Sequence, residues 1–149
     1  MSNCTTLSIR CLCICIFSFV SSSLWSQCDL DGGILLTSTG ADSLTICAGD
    51  GMSDAFDIQL TGQSDTTNSG YLITDDQLTI LGLPAGPPFD LEGAGDGTCL
   101  VWAITYANGL TGLMLGENAA DLSGCFALST PITIIRNGVD GGVLTLPDG

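Results

Sequence analysis

The chain has 149 residues, of which 45% are hydrophobic, and it carries 16 acidic residues against two basic ones, for a formal net charge of −14 at pH 7. It contains no His and neither cation is a Lys, which excludes Ser-His-Asp and Cys-His nucleophile activation, lysine Schiff bases and the lysine-containing phosphate-binding loop. An acidic surface also repels nucleic acid and anionic membranes. We therefore expect a folded, non-catalytic protein without a nucleic-acid partner.

Residues 1–26 are predicted to be a cleaved secretory signal peptide. The apolar stretch 9–20 is too short to span a bilayer, and a serine-rich segment that ends at Ser26 follows it. Cleavage there leaves Gln27 or Cys28 as the new N-terminus, and the protein is expected to be secreted or exposed at the cell surface. Two alternatives stay open: a buried N-terminal helix, and a lipoprotein signal in which Cys28 carries lipid.

Residues 27–138 are predicted to form one all-β domain. Short segments rich in β-branched and aromatic residues are bounded by Gly, Pro, Asn or Asp, and only 117–122 has the pattern of a helical turn. Seven short strands in a chain of this length predict an immunoglobulin-like antiparallel β-sandwich. The predicted strands are 33–37, 43–47, 56–61, 71–74, 78–83, 98–106 and 131–136.

Segment 98–106 is predicted to be a central strand, because it is apolar on both faces. Its bulky side chains, Leu100, Trp102, Ile104 and Tyr106, alternate onto one face. We expect Trp102 to be the largest anchor of the core. The alternative is an exposed aromatic platform for a sugar ring.

A short sequence near the start of the mature chain recurs near its end. Residues 30–35 read LDGGIL and residues 139–144 read VDGGVL, an offset of 109 residues between Asp31 and Asp140. That offset is the length of one sandwich domain. Residues 139–149 are therefore predicted to begin a second, truncated repeat. The alternative is a coincidental match of two Gly-Gly turns.

Four further segments carry a family resemblance. They read TICAGDG at 45–51, YLITD at 71–75, FDLEGAGDGTC at 89–99 and GCF at 124–126. Their order resembles immunoglobulin-like tandem repeats of large secreted and cell-surface proteins of Bacteroidetes, over about 29–137.

The resemblance implies a structural or adhesive repeat whose partners are neighbouring repeats of the same chain, glycans or other surface proteins. None of the matching segments is a catalytic motif. The chain departs from antibody-type domains in its long segment 107–124, so recognition of the antigen-receptor kind is not implied.

Four cysteines remain after signal cleavage: Cys28, Cys47, Cys99 and Cys125. In an exported domain they are expected to form two disulfides, with three possible connectivities. The favoured pairs are Cys99 with Cys125 and Cys28 with Cys47, because strand alternation places Cys47 and Cys99 off the predicted core face. The rival pair, Cys47 with Cys99, would span the sandwich. Without a Cys-x-x-Cys spacing or a His, the thiols are not expected to bind metal.

Asp50, Asp54 and Asp57 are candidate calcium ligands. They cluster in a Gly-containing segment, and flexible loops with carboxylate oxygens suit this ion. A calcium-dependent carbohydrate-binding module is therefore the alternative to a structural or adhesive repeat. The competing interpretation is that these acids form Asx turns and cover the surface. No other cofactor is predicted.

Overall fold

The computed structural model describes residues 28–65 and 68–138, so the predicted signal peptide and the predicted truncated repeat lie outside the described residues. The described chain is all-β, as the sequence predicts, with strands and two single turns of 3₁₀-helix, Glu92–Ala94 and Ala119–Asp121. Its strands are β1 (Ile34–Thr37), β2 (Ser43–Ala48), β3 (Ile58–Thr61), β4 (Asn68–Thr74), β5 (Ile80–Gly82), β6 (Gly97–Tyr106), β7 (Phe126–Leu128) and β8 (Ile132–Gly138).

Each of the seven predicted strands overlaps one of these elements, and the predicted helical turn overlaps Ala119–Asp121. Asn118 begins that turn by accepting a hydrogen bond from the Ala120 amide at 2.8 Å. Strand β7 is not among the predicted strands. In the two described ranges, no helix is long and apolar enough to cross a membrane.

The strands form two sheets. The larger sheet has the order β2-β8-β6-β4-β5, and β7 pairs with the same edge of β6 as β8 does, further along the strand. Strands β1 and β3 form a separate antiparallel ribbon. The pair β2–β8 is parallel, so the larger sheet is mixed, and the expectation of purely antiparallel sheets is wrong at this pair.

Both faces of the larger sheet are covered. On one face, Cys99, Val101 and Ala103 of β6 pack with Leu35 of the β1–β3 ribbon in a first core cluster. On the other face, a second cluster contains Ile104 and is covered by segment 107–124. Segment 107–124, which distinguishes this chain from antibody domains, thus covers the second face of the sheet. Further members of the second cluster are Leu72, Ile80, Ala119 and Leu122.

Trp102 packs against the second cluster and is half-buried. Its indole N–H donates a hydrogen bond to the Thr74 hydroxyl at 3.0 Å, and Thr74 itself is fully buried. The completely buried β6 residues are instead Val101, Ile104 and Thr105. The expectation that Cys99 lies off the core face is wrong, because this strand has a buried cluster on each side.

Candidate functional site

The structure contains one disulfide among the described residues, and it joins Cys28 to Cys125, with a Cα–Cα distance of 5.3 Å and a sequence separation of 97 residues. Both favoured pairs, Cys99 with Cys125 and Cys28 with Cys47, are therefore wrong. The sulfur of Cys28 is used in this bond, which leaves no thiol there for a lipid.

Cys47 and Cys99 are free thiols, the first exposed and the second buried. They flank strand β8 on either side, where Cys47 is registered with Asn137 and Cys99 with Ile134. Asn137 is exposed and Ile134 is buried, so the two sulfurs lie on opposite faces of the sheet. The rival bond between Cys47 and Cys99 is excluded for that reason.

The first copy of the repeated Asp-Gly-Gly sequence has a defined structural role. Asp31 accepts a hydrogen bond from the Gly33 amide at 2.9 Å, and Gly33 has a φ of +78°. Gly32 is buried, and a Cβ on it would lie 2.1 Å from the backbone carbon of Leu128. Asp31, Gly32 and Gly33 therefore each have a structural role at the turn that packs against the backbone of β7.

The candidate calcium loop, residues 49–54, is held by a carboxylate from the first 3₁₀ turn. Glu92 accepts hydrogen bonds from the amides of Gly49, at 3.1 Å, and Gly51, at 2.6 Å. Each carboxylate oxygen takes one of these amides, so Glu92 serves as the anion that binds this loop.

Two neighbouring carboxylates also have partners within the chain. Asp50 accepts from the Met52 amide at 2.8 Å, which is an Asx turn. Asp90 accepts from the Ser53 hydroxyl at 2.7 Å, and this hydrogen bond is the largest cause that lowers its pKa. The acids in and beside the loop therefore fix its shape.

Asp54 is the exception in this acidic cluster. Its Oδ2 atom is buried without a hydrogen-bond partner. Burial, followed by repulsion from Asp50, Glu92 and Asp90, raises the pKa of its carboxyl group. Asp57 does not join the cluster, since it is exposed beside the β1–β3 ribbon and its backbone carbonyl accepts an N–H there.

The structure thus separates the three predicted calcium ligands, with Asp50 and Asp54 in the cluster and Asp57 outside it. Across residues 28–65 and 68–138, no group of three or more Cys, Asp or Glu side chains is arranged to hold a metal ion.

A second candidate site surrounds Arg136, the one cation in the described residues. The side chain projects from β8 toward the first cluster and is 7% exposed. It donates from Nη1 to the Ala94 carbonyl, whereas its Nε is buried without a partner. No carboxylate of the described residues lies within ion-pair distance of the guanidinium.

The guanidinium lines a cavity of about 320 Å³. Most of its wall is apolar, and the Cys99 thiol forms part of it. Burial raises the pKa of this thiol, and the adjacent positive charge of Arg136 and a hydrogen-bonding contact of its guanidinium with the sulfur oppose that effect only in part. At neutral pH the sulfur is therefore a protonated thiol and a poor nucleophile. The lining residues are Ile73, Leu81, Gly82, Leu91, Ala94, Cys99 and Arg136.

Sequence reasoning did not identify the Arg136 site, although the alternation of β8 carries a signal. Ile132, Ile134 and Arg136 share one phase of the strand, and all three are buried. A cation in phase with two core isoleucines indicates an inward-pointing charge. The cavity itself is lined by residues of β4, β5, β6 and β8 and of segment 91–94, which no local pattern brings together.

Comparison with known proteins does not add a family. No protein-family model, curated protein or solved structure matches the chain.

Proposed function

We propose that the chain is a non-catalytic extracellular module of immunoglobulin-like architecture, which serves as a structural or adhesive unit in a tandem array. The observation that carries this proposal is the position of the Cys28–Cys125 disulfide. It closes a loop of 97 residues that contains β1 to β6. Such long-range bonds are typical of exported domains.

The disulfide lies on the mechanical path through the domain. A pull on the two ends of a tandem module enters near Cys28 and leaves through β8. Because the covalent bond bypasses residues 29–124, tension cannot extend them even when their strands separate. Only the segment after Cys125 can lengthen, and this is a useful property in a spacer or an adhesive stalk.

The role of Asp31, Gly32 and Gly33 supports the tandem part of the proposal. These residues are used for a turn, a close backbone approach and a left-handed conformation. The same three residues recur in the sequence at 140–142, at the spacing of one domain.

The immunoglobulin-like part is supported by the two-layer arrangement. The β1–β3 ribbon covers one face of the larger sheet, and buried side chains of both fill the space between them. The arrangement is uneven, since the second layer has only two strands and segment 107–124 covers the opposite face. We propose a variant of the immunoglobulin-like sandwich on this basis.

Single-molecule force extension tests the proposed mechanical role. The chain is placed between marker domains and pulled before and after reduction. The oxidised module should lengthen only by its residues after Cys125, and reduction should add about 320 to 350 Å, the extended length of the 97-residue loop. A Cys47→Ser variant, which removes an exposed thiol outside the bond, is the matched control.

Equal extension in the oxidised and reduced states would contradict the proposed mechanical role of the Cys28–Cys125 disulfide. Efficient turnover of a substrate by the purified module would contradict the non-catalytic assignment.

A further inference from the structure

We propose that the cavity at Arg136 is a binding site for a small organic acid with an apolar body, with the ligand carboxylate paired to the Arg136 guanidinium. This site is independent of the structural role proposed above.

The positive charge of Arg136 is buried and uncompensated within the described residues. A guanidinium stays protonated at any physiological pH, and a buried charge is costly unless it is paired. The chain has 16 acidic residues, yet within the described ranges none forms an ion pair with Arg136, which is 7% exposed. A fold that only needed an inward side chain at this position could use an apolar one at lower cost.

The Arg136 guanidinium is only partly satisfied by the described residues. Nη1 is engaged by the Ala94 carbonyl, and Nε is buried and unpaired. A carboxylate binds a guanidinium through N–H donors and offsets its charge. The Ala94 contact holds the group in place at the wall of the cavity, where a ligand carboxylate would approach it.

The cavity combines one cation with apolar walls. The side chains of Ile73, Leu81 and Leu91 provide apolar walls, and the cavity of about 320 Å³ is at the lower end of the range for small-ligand sites, about 300 to 1,000 Å³. The protonated Cys99 thiol adds no negative charge. One cation in an otherwise apolar cavity selects a ligand with one anionic group and a short hydrocarbon body.

Asp96 lies near Arg136. It lines a second, more open cavity of about 360 Å³, to which Arg136 also contributes. Its side chain lies beside Gly138, where a Cβ would be 3.2 Å from the Asp96 Cβ. Asp96 is exposed and does not pair with Arg136, so it leaves the charge available to a ligand.

The experiment is a titration of the oxidised protein with octanoate. Binding is measured by isothermal titration calorimetry and by the shift in melting temperature. Octanol has the same hydrocarbon chain without the charge, and acetate has the charge without the chain. We expect octanoate to bind at least about tenfold more tightly than either compound, which is the usual effect of a hydrogen-bonded charge pair.

Two sets of variants locate the site. Arg136→Met should weaken octanoate binding at least about tenfold without weakening octanol binding. Leu81 lines the cavity and is 51% exposed, so a substitution there leaves the core intact. Leu81→Glu should repel the ligand carboxylate, and the uncharged Leu81→Gln is its matched control.

Several results would overturn the proposal. They are equal affinities for octanoate and octanol, unchanged octanoate binding in Arg136→Met, equal binding by Leu81→Glu and Leu81→Gln, and no binding of octanoate at millimolar concentration. Should Arg136→Met fail to fold, the Leu81 pair decides the question, since both substitutions are at an exposed position.

Discussion

Removal of the Cys28–Cys125 disulfide should lower the stability of the domain more than removal of any single surface contact. The change is the double variant Cys28→Ser and Cys125→Ser. In the chain-entropy model, a loop of 97 residues is close to the 100-residue case, for which the crosslink contributes about 4.7 kcal/mol at 25 °C. For a domain of this size, that loss corresponds to a fall in melting temperature of roughly 15 to 20 °C.

Urea unfolding at equilibrium, monitored by near-ultraviolet circular dichroism, measures this loss. The unfolding midpoint should fall, and the m-value should rise because the unfolded variant is less compact than the crosslinked chain. Reduction of the wild-type protein should reproduce both changes. Cys47→Ser is the control, and its free energy of unfolding should stay within about 0.5 kcal/mol of wild type.

A double variant that is destabilised by less than about 1 kcal/mol would refute this reasoning. In that case the segment that contains Cys28 would be held by its noncovalent contacts alone, and the Cys28–Cys125 disulfide would not contribute to the stability of the domain.

Three further predictions concern the turn over β7 and the acidic cluster. Gly32→Ala should lower the free energy of unfolding by about 3 kcal/mol or more, because the added Cβ would lie 2.1 Å from backbone. Gly93→Ala, whose Cβ would lie in open space, should leave it nearly unchanged. Urea unfolding of both variants measures the difference. Asp54→Asn should stabilise the fold increasingly as pH rises above about 4, over the range in which the Asp54 carboxyl group loses its proton, in melting scans compared with wild type. Calcium chloride should raise the melting temperature no more than sodium chloride at equal ionic strength, because both carboxylate oxygens of Glu92 already accept backbone hydrogen bonds. A clearly higher melting temperature in calcium chloride would support the calcium-dependent alternative.

The sign of the Asp54 effect follows from the direction of its pKa. The carboxyl pKa is raised in the folded state by burial and by neighbouring acids. The folded state therefore holds the proton more tightly than the unfolded state, and the wild type loses stability as pH rises through this window. An amide removes that dependence. A constant difference between Asp54→Asn and wild type at every pH would contradict this explanation.

Period-2 patterns and turn residues were sufficient to predict the all-β class and seven of the strands. The same patterns failed at Cys99, because β6 is buried on both faces and alternation then carries no information about which face is inside. Disulfide pairing failed for a related reason. The proximity of Cys28 and Cys125 depends on how the N-terminal segment crosses β7, which is a long-range contact.

The predicted calcium ligands show a second limit of prediction from sequence. Asp50, Asp54 and Asp57 are close in sequence, but Asp57 falls where β3 begins and separates from the others, while Asp90 and Glu92 join them from a distant segment. Burial of Arg136 was recoverable from the phase of β8. The cavity beside it was not, since its walls come from five separate parts of the chain.

We propose an extracellular module that is closed by one long-range disulfide, and disulfide mapping of exported protein tests this proposal most directly. Protein recovered from outside expressing cells is alkylated, digested without reduction and sequenced by mass spectrometry. We predict a new N-terminus at Gln27 or Cys28, a crosslinked peptide pair that contains Cys28 and Cys125, rapid alkylation of Cys47, and alkylation of Cys99 only after unfolding. Retention inside the cell with four free thiols, or a crosslink between Cys47 and Cys99, would contradict the account.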